Sequence, residues 1–147
     1  MRILFVCSGN ICRSPFAEAL ARRLSDRSDL EFTSAGTIAL TGNPASPTGI
    51  AVAAGLGVDL SDHRATHLTP EVLAKTDLVY AMEDEHIASV LALDPGARVE
   101  LLSPEGTPMP DPYGGDRLEY ERSYTLIATA LRERLAEQAN RPGHGSK

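Results

Sequence analysis

One short stretch limits this chain more than any other: a strand that runs directly into a polar loop and then a helix start. Arg2 to Val6 reads as a short apolar strand, Cys7 ends it, and Ser8-Gly9-Asn10-Ile11-Cys12-Arg13 leads to Ser14-Pro15. Serine is a favoured helix cap and proline a favoured first helical residue, so a helix is expected to open with Ser14 as its N-cap. The loop is thereby pinned between a strand end and a helix N-terminus. That arrangement aims backbone N–H groups and the positive end of a helix dipole at one point. A cysteine sulfur held there ionises easily, and an arginine six residues on can fork onto the oxygens of a tetrahedral oxyanion. Gly9 permits close backbone approach, and Asn10 tolerates the left-handed dihedrals that turn N–H groups inward. Thiolate, amide nest and guanidinium together equip a site for attack on phosphorus.

The rest of the chain supplies a frame for that loop. Apolar runs predict strands over Ile3 to Val6, Leu30 to Thr33, Asp77 to Ala81 and Arg98 to Leu102. Helical stretches fall between them. Phe16, Leu20 and Leu24 form the apolar stripe of the first. Ser46-Pro47 opens a second, ended by Gly55, and Thr69-Pro70 opens a third that runs to about Lys75. A fourth covers Asp84 to Leu93, and a long fifth runs from Arg117 to Glu137 with Leu118, Leu126, Leu131 and Leu135 as core candidates. Alternating strands and helices predict an α/β fold in three layers, a parallel sheet with helices on both faces. Ligands in such folds sit at the carboxyl ends of the strands, where Cys7 lies. Residues 1–139 read as one domain, and the polar 140–147 tail is expected to be disordered.

Composition narrows the possibilities further. The 147 residues are 42% hydrophobic, enough for one globular core. A net charge of −6 argues against a nucleic-acid partner and requires any phosphate site to overcome the chain's own field at short range. No apolar run is long enough to span a membrane, and the first strand is too short and too quickly followed by polar residues for a signal peptide. Two cysteines five positions apart fit a reducing, cytoplasmic setting and a chemical use. A monomer is the default expectation.

At the loop the chain resembles the low-molecular-weight protein tyrosine phosphatases. The signature is Cys7-x5-Arg13-Ser14-Pro15 with Gly-Asn-Ile-Cys inside it. Ser34-Ala35-Gly36-Thr37, Gly42-Asn43-Pro44, Asp62-His63-Arg64-Ala65, Ala81-Met82-Glu83 and Asp111-Pro112-Tyr113 follow in the family's order, covering Met1 to about Leu135. The resemblance implies a sheet in the order 2-1-3-4. It implies Cys7 as nucleophile, Arg13 as phosphate clamp and a cysteinyl-phosphate intermediate, with no metal or organic cofactor and a phosphorylated protein as substrate.

Asp111 lies in Pro108-Met109-Pro110-Asp111-Pro112-Tyr113-Gly114-Gly115, a loop after the fourth strand that reaches the same rim as Cys7. From the residues alone it is either a turn residue or a proton donor; the resemblance implies the general acid and base. Ser8, Gly9, Asn10, Ile11, Cys12 and Ser14 are expected to surround the substrate's phosphate. Ile11, Leu40 and Tyr113 are expected as walls. Many relatives carry an aromatic near Leu40 and a second tyrosine at Gly114, so this cleft is less aromatic. Asn10, Ser34 and His63 resemble the family's buried polar network, which serves a loop whose inward N–H groups leave carbonyls facing out. Cys12 is either a small packing residue or, as the resemblance implies, a disulfide partner for Cys7 under oxidation.

Other features take plainer readings. His63 and His67 stand four apart without a third ligand, so no metal site is expected. Glu83-Asp84-Glu85 reads as a solvated helix start, and His86, His144 and Arg22-Arg23 take no assigned role. The leading activity is hydrolysis of protein phosphotyrosine. Phosphoarginine hydrolysis is the alternative, although the arginine phosphatases resemble one another in a threonine where Ile11 stands. Arsenate reduction needs cysteines that this chain lacks. A binding module for oxyanions or phosphoproteins would keep Arg13 without needing Cys7 and Asp111 together.

Overall fold

The first strand has no polar face. Within β1 (Arg2–Cys7), Ile3, Phe5 and Cys7 are buried on one side and Leu4 and Val6 on the other. Such a strand is stable only inside a sheet covered on both faces. In the computed structural model, which describes residues 1–140, it is central. The elements that follow are α1 (Arg13–Leu24), β2 (Glu31–Gly36), α2 (Pro47–Gly55), α3 (Pro70–Ala74), β3 (Leu78–Ala81), α4 (Asp84–Leu93), β4 (Val99–Leu101) and α5 (Arg117–Ala139). All strand pairs are parallel, as the alternation of strands and helices predicts, and their order is β2-β1-β3-β4, as the family resemblance implies. Helices α1, α2 and α5 share the core of one face, and α3 and α4 that of the other. Among the described residues, no helix is long and apolar enough to cross a membrane. Apart from Asn140, the expected disordered tail lies outside the described residues.

Two boundaries and one expected core position depart from expectation. Helix α1 begins at Arg13, with Cys12 at the N-cap, so Ser14 and Pro15 lie inside its first turn. Ser14 is engaged by Cys7 and Asn10 instead of capping. Strand β2 continues past Thr33 to Gly36. The turn-like Ser34-Ala35-Gly36 stays extended because it pairs with Phe5, Val6 and Cys7 along β1. In α1, Phe16 and Leu20 are buried, but Leu24 remains 39% exposed. It is the last helical residue, with no following turn to cover it.

The long helix carries the clearest correction. Leu118 and Leu126 are exposed, Leu135 is half-buried, and only Leu131 of the expected leucines is fully buried. The buried face is Tyr120, Tyr124, Ile127, Leu131, Arg134 and Gln138, residues three or four apart along one side of the helix. Polar tips on this stripe all find partners. Tyr124 OH donates to Cys12 O at 2.9 Å, and Arg134 donates to the carbonyls of Leu101 and Leu102 at the edge strand. Phe16 stacks on Tyr124 with ring centroids 4.1 Å apart, joining α1 to α5. Leu131→Ala should therefore cost about 2–5 kcal/mol, whereas Leu126→Ala should stay within about 0.5 kcal/mol. Urea unfolding of the two variants checks this, and equal losses would refute the assignment of the face.

Candidate active site

Parallel pairing brings the carboxyl ends of β1, β2 and β3 to one edge, with Cys7 directly opposite Gly36 and Val6 opposite Ala81. The 8–12 loop crosses that edge into α1, and its shape follows from where its carbonyls go. Cys7 O and Ser8 O accept the N–H groups of Thr37 and Ile38. Asn10 O accepts from His63 Nε2 at 2.7 Å, Ile11 O from Ser46 N, and Cys12 O from Tyr124 OH. With those carbonyls tied outward, the amides between them are free to face the other way.

Asn10 is the pivot of the turn. It adopts φ 56, the one left-handed non-glycine among the described residues, and is fully buried. Its amide nitrogen donates to Ser14 Oγ at 2.7 Å and Ser34 Oγ at 2.9 Å, and its oxygen accepts from Thr66 N at 2.8 Å. Because Ser14 Oγ already accepts from Asn10, its own proton is free for Cys7 Sγ, 2.9 Å away. Ser34 in turn donates to Glu18, which pairs with Arg22. Asn10 is thus hydrogen-bonded to both Ser34 and His63.

Cys7 and Arg13 are almost wholly buried, at 2% and 1% exposure. Arg13 Nη1 donates to Glu83 Oε1 and to Met109 O, and Nη2 lies 3.6 Å from Asp111 Oδ2. Its Nε is the single buried side-chain nitrogen or oxygen without a hydrogen-bond partner among the described residues. One edge of the guanidinium is therefore fixed to the protein, and the Nε–Nη2 edge keeps a donor to give. Asp111 is held by its own turn, where Oδ1 accepts from Tyr113 N at 3.1 Å. Ser123 Oγ on α5 donates to Pro110 O, and Met109 N donates to Met82 O. Gly114 has φ 81 in the turn closed by Gly115 N and Pro112 O, a backbone that a tyrosine would adopt only with strain.

A cavity of about 320 Å³ opens above these groups. Cys7, Ser8, Gly9, Ile11, Cys12, Arg13, Leu40, Asp111 and Tyr113 line it, together with Ile38 and Asn43, to which the sequence reading gave no site role. Asn10 and Ser14, expected among the substrate contacts, do not line it. Their side chains are turned into the network behind the loop. Leu40 and Tyr113 stand exposed at the mouth with Ile38. Cys12 is a free thiol, as is Cys7. Burial pushes the Cys12 thiol up, against the pull of its Tyr120 and Ser46 hydrogen bonds, and burial holds Tyr120 up at about 12.

The Low molecular weight phosphotyrosine protein phosphatase family model matches residues 2–142. The chain belongs to that family. It is 39% identical over 135 residues to the low molecular weight protein-tyrosine-phosphatase Etp of Escherichia coli (strain K12), covering 89% of this chain and 90% of the relative. Among solved structures, Vibrio vulnificus Wzb in complex with benzylphosphonate superposes with a TM-score of 0.87 at 30% identity, covering 92% of this chain and 97% of that one. YwlE arginine phosphatase from Geobacillus stearothermophilus superposes at 0.86 with 33% identity, covering 94% and 92%. This phosphatase is therefore a hydrolase by family, and its fold is the family's fold.

Several groups of the phosphatase site were not legible beforehand. Glu83 is not a merely solvated helix start, because it holds Arg13. His86 is buried against Ser8, and Glu18 and Thr66 complete the Asn10 network. The Glu83-x-x-His86 spacing at a helix start was the available signal.

The strictest glycine is Gly36. A Cβ there would lie 2.5 Å from Ser8 O and 2.8 Å from Asn10 N, whereas one at Gly9 would meet only Ile11, at an ordinary 3.5 Å. Gly36→Ala should therefore displace the loop and weaken binding of inorganic phosphate by about tenfold or more. Gly55→Ala, whose Cβ meets no described atom within 4 Å, should leave it unchanged. Calorimetric titration with circular dichroism as a folding control checks both, and wild-type affinity in Gly36→Ala would show that the loop does not depend on this contact.

Proposed function

We propose that this chain hydrolyses phosphotyrosine in proteins through a cysteinyl-phosphate intermediate. The observation that carries the reading is a buried Arg13 with one edge fixed and Nε unpartnered, in the same cavity as a Cys7 sulfur that faces a Ser14 hydroxyl. Cys7 attacks phosphorus as the thiolate, forming the S–P bond as the bond to the tyrosyl oxygen breaks. Ser14 donates to the sulfur, and the first-turn amides of α1 face the incoming oxygens, since no side chain among the described residues caps that helix. Arg13 holds two equatorial oxygens and their charge in flight. Asp111 gives its proton to the leaving oxygen, then takes one from the water that attacks the cysteinyl-phosphate, and inorganic phosphate is released.

Ile11, Leu40 and Tyr113 form the walls that take the phenyl ring, with Ile38 at the mouth. Ser8, Gly9 and Cys12 lie along the loop around the phosphate, and Asn10, Ser34 and His63 keep it in shape. Nucleophile, charge and proton all come from side chains, so the reading needs neither metal nor organic cofactor. It places the enzyme in the cytoplasm as a monomer acting on phosphorylated proteins, in keeping with two free thiols. Phosphoarginine is the second reading, favoured by the likeness to the Geobacillus enzyme. The bulky, apolar Ile11 on the cavity wall favours the flat ring instead.

A panel of phosphotyrosine, phosphoarginine and phosphoserine peptides tests the reading. Phosphotyrosine should turn over fastest, and a preference for phosphoserine would overturn both readings. Cys7→Ser should abolish turnover while retaining phosphate binding, so substantial residual activity would remove the nucleophile assignment. Asp111→Ala should slow esters with poor leaving groups by about 10²–10⁴-fold and good ones far less. Equal slowing across leaving groups would contradict its part as the acid.

A further inference from the structure

One polar contact in the cavity has no part in the chemistry above. Ser8 lies on the cavity wall, and behind it stands His86, 1% exposed at the third position of α4. His86 Nδ1 accepts the Glu83 backbone N–H at 3.1 Å, so the neutral ring must carry its proton on Nε2. Nε2 is 2.9 Å from Ser8 Oγ. An N–H can only donate, so the serine oxygen accepts, and the serine proton is turned away from the imidazole.

We propose that His86 is a positioning residue: the Glu83 amide fixes its tautomer, and its Nε2–H fixes the Ser8 hydroxyl so that this hydroxyl donates to a phosphoryl oxygen in the loop. The proposal rests on the phosphate-binding part of the reading above and adds a donor to it. It also joins two features at the start of α4. The residue whose amide orients His86 is the residue whose carboxylate holds Arg13. Serine and arginine are thus aligned from a single turn of backbone.

The ring's surroundings keep it neutral, so that Nδ1 can accept from Glu83. Burial lowers its pKa first and the Arg13 charge second, against Glu83, Glu85 and Asp111, which raise it. Glu85 Oε1 lies 3.8 Å from Nε2 and is largely exposed, so solvent screens it. Protonation would place an N–H on Nδ1 directly against the Glu83 N–H, two donors facing each other. Because the folded protein resists that proton more than the unfolded chain does, His86's contribution to stability is intact above the ordinary histidine value near 6.5. It is lost as pH falls below that value.

The test uses the full chain and inorganic phosphate as ligand. Ser8→Ala and His86→Phe should each weaken phosphate binding by about three- to tenfold, and the double variant should be no weaker than the worse single one. Losses that multiply would overturn the proposal, as would wild-type affinity in His86→Phe. His86→Gln, whose amide can still donate to Ser8, should recover most of the loss, and no recovery counts against a hydrogen-bonding role. Should His86→Phe fail to fold, nitrogen-15 shifts of the native imidazole decide the matter. The expected signature is a neutral ring protonated on Nε2 at pH 7, and a proton on Nδ1 overturns the proposal. None of these readouts needs turnover. A wild-type protein that binds phosphate but hydrolyses nothing defeats the hydrolase reading alone; one that turns over phosphotyrosine while the two losses multiply defeats only the His86 proposal.

Discussion

The structure of the site depends on one side chain amide. Asn10 is fully buried in a left-handed conformation, and three hydrogen bonds from its side chain tie the loop to α1, β2 and the segment at Thr66. A non-glycine residue holds that conformation at a cost of about 1–2 kcal/mol, and the surrounding contacts must over-determine it. Asparagine suits the position because it tolerates the dihedral and brings two donors and an acceptor. Without those bonds, Ser14 would lose the donor that orients it toward Cys7. The sulfur's environment is thus set by a residue that does not line the cavity.

Outward ties complete what Asn10 begins. The carbonyls of the loop are received by β2's continuation, by His63, by the Ser46 turn and by Tyr124 of α5. These come from distant parts of the chain and from both sides of the loop. Tyr120 adds a further tie, with its hydroxyl 3.0 Å from Ser46 Oγ and 3.4 Å from Cys12 Sγ. The long helix therefore acts as more than a covering layer. It holds the Cys12 end of the loop through its tyrosines and the 108–113 loop through Ser123.

These roles explain what could be read from the sequence. Strand β1 was legible because its alternation has no polar phase, and α4 because Asp94-Pro95-Gly96 ends it abruptly. The Cys7-to-Arg13 loop was legible because its residue types are costly in any setting where nothing is bound. The face of α5 was not, because it is built from Tyr120, Tyr124, Arg134 and Gln138, whose polar tips are satisfied mainly by segments far away in sequence. Leucine spacing pointed to Leu118 and Leu126 instead, which face solvent. Glu83 was hidden for a related reason. An acidic residue at a helix start is ordinary, and only the tertiary fold brings Arg13 to it.

The two carboxylates around Arg13 are not equivalent, and the difference bears on how the site would turn over. Glu83 engages Nη1, the nitrogen also fixed by Met109 O, with its side chain 30% exposed. Asp111 lies by Nη2 at 3.6 Å, longer than a direct hydrogen bond, and its side chain is 46% exposed. Under the proposed function a phosphoryl group would take the Nε–Nη2 edge, where Nε has no partner, and so compete with Asp111 while leaving Glu83 in place. In the proposed reaction Glu83 keeps the guanidinium plane fixed, while Asp111, more exposed and held by the Tyr113 N–H of its own turn, is the carboxyl placed to meet the leaving oxygen. In an acidic chain the contrast has electrostatic sense. The Glu83 carboxylate pairs with the buried arginine on its far edge, and the near edge keeps the Nε–H as a donor for an anion.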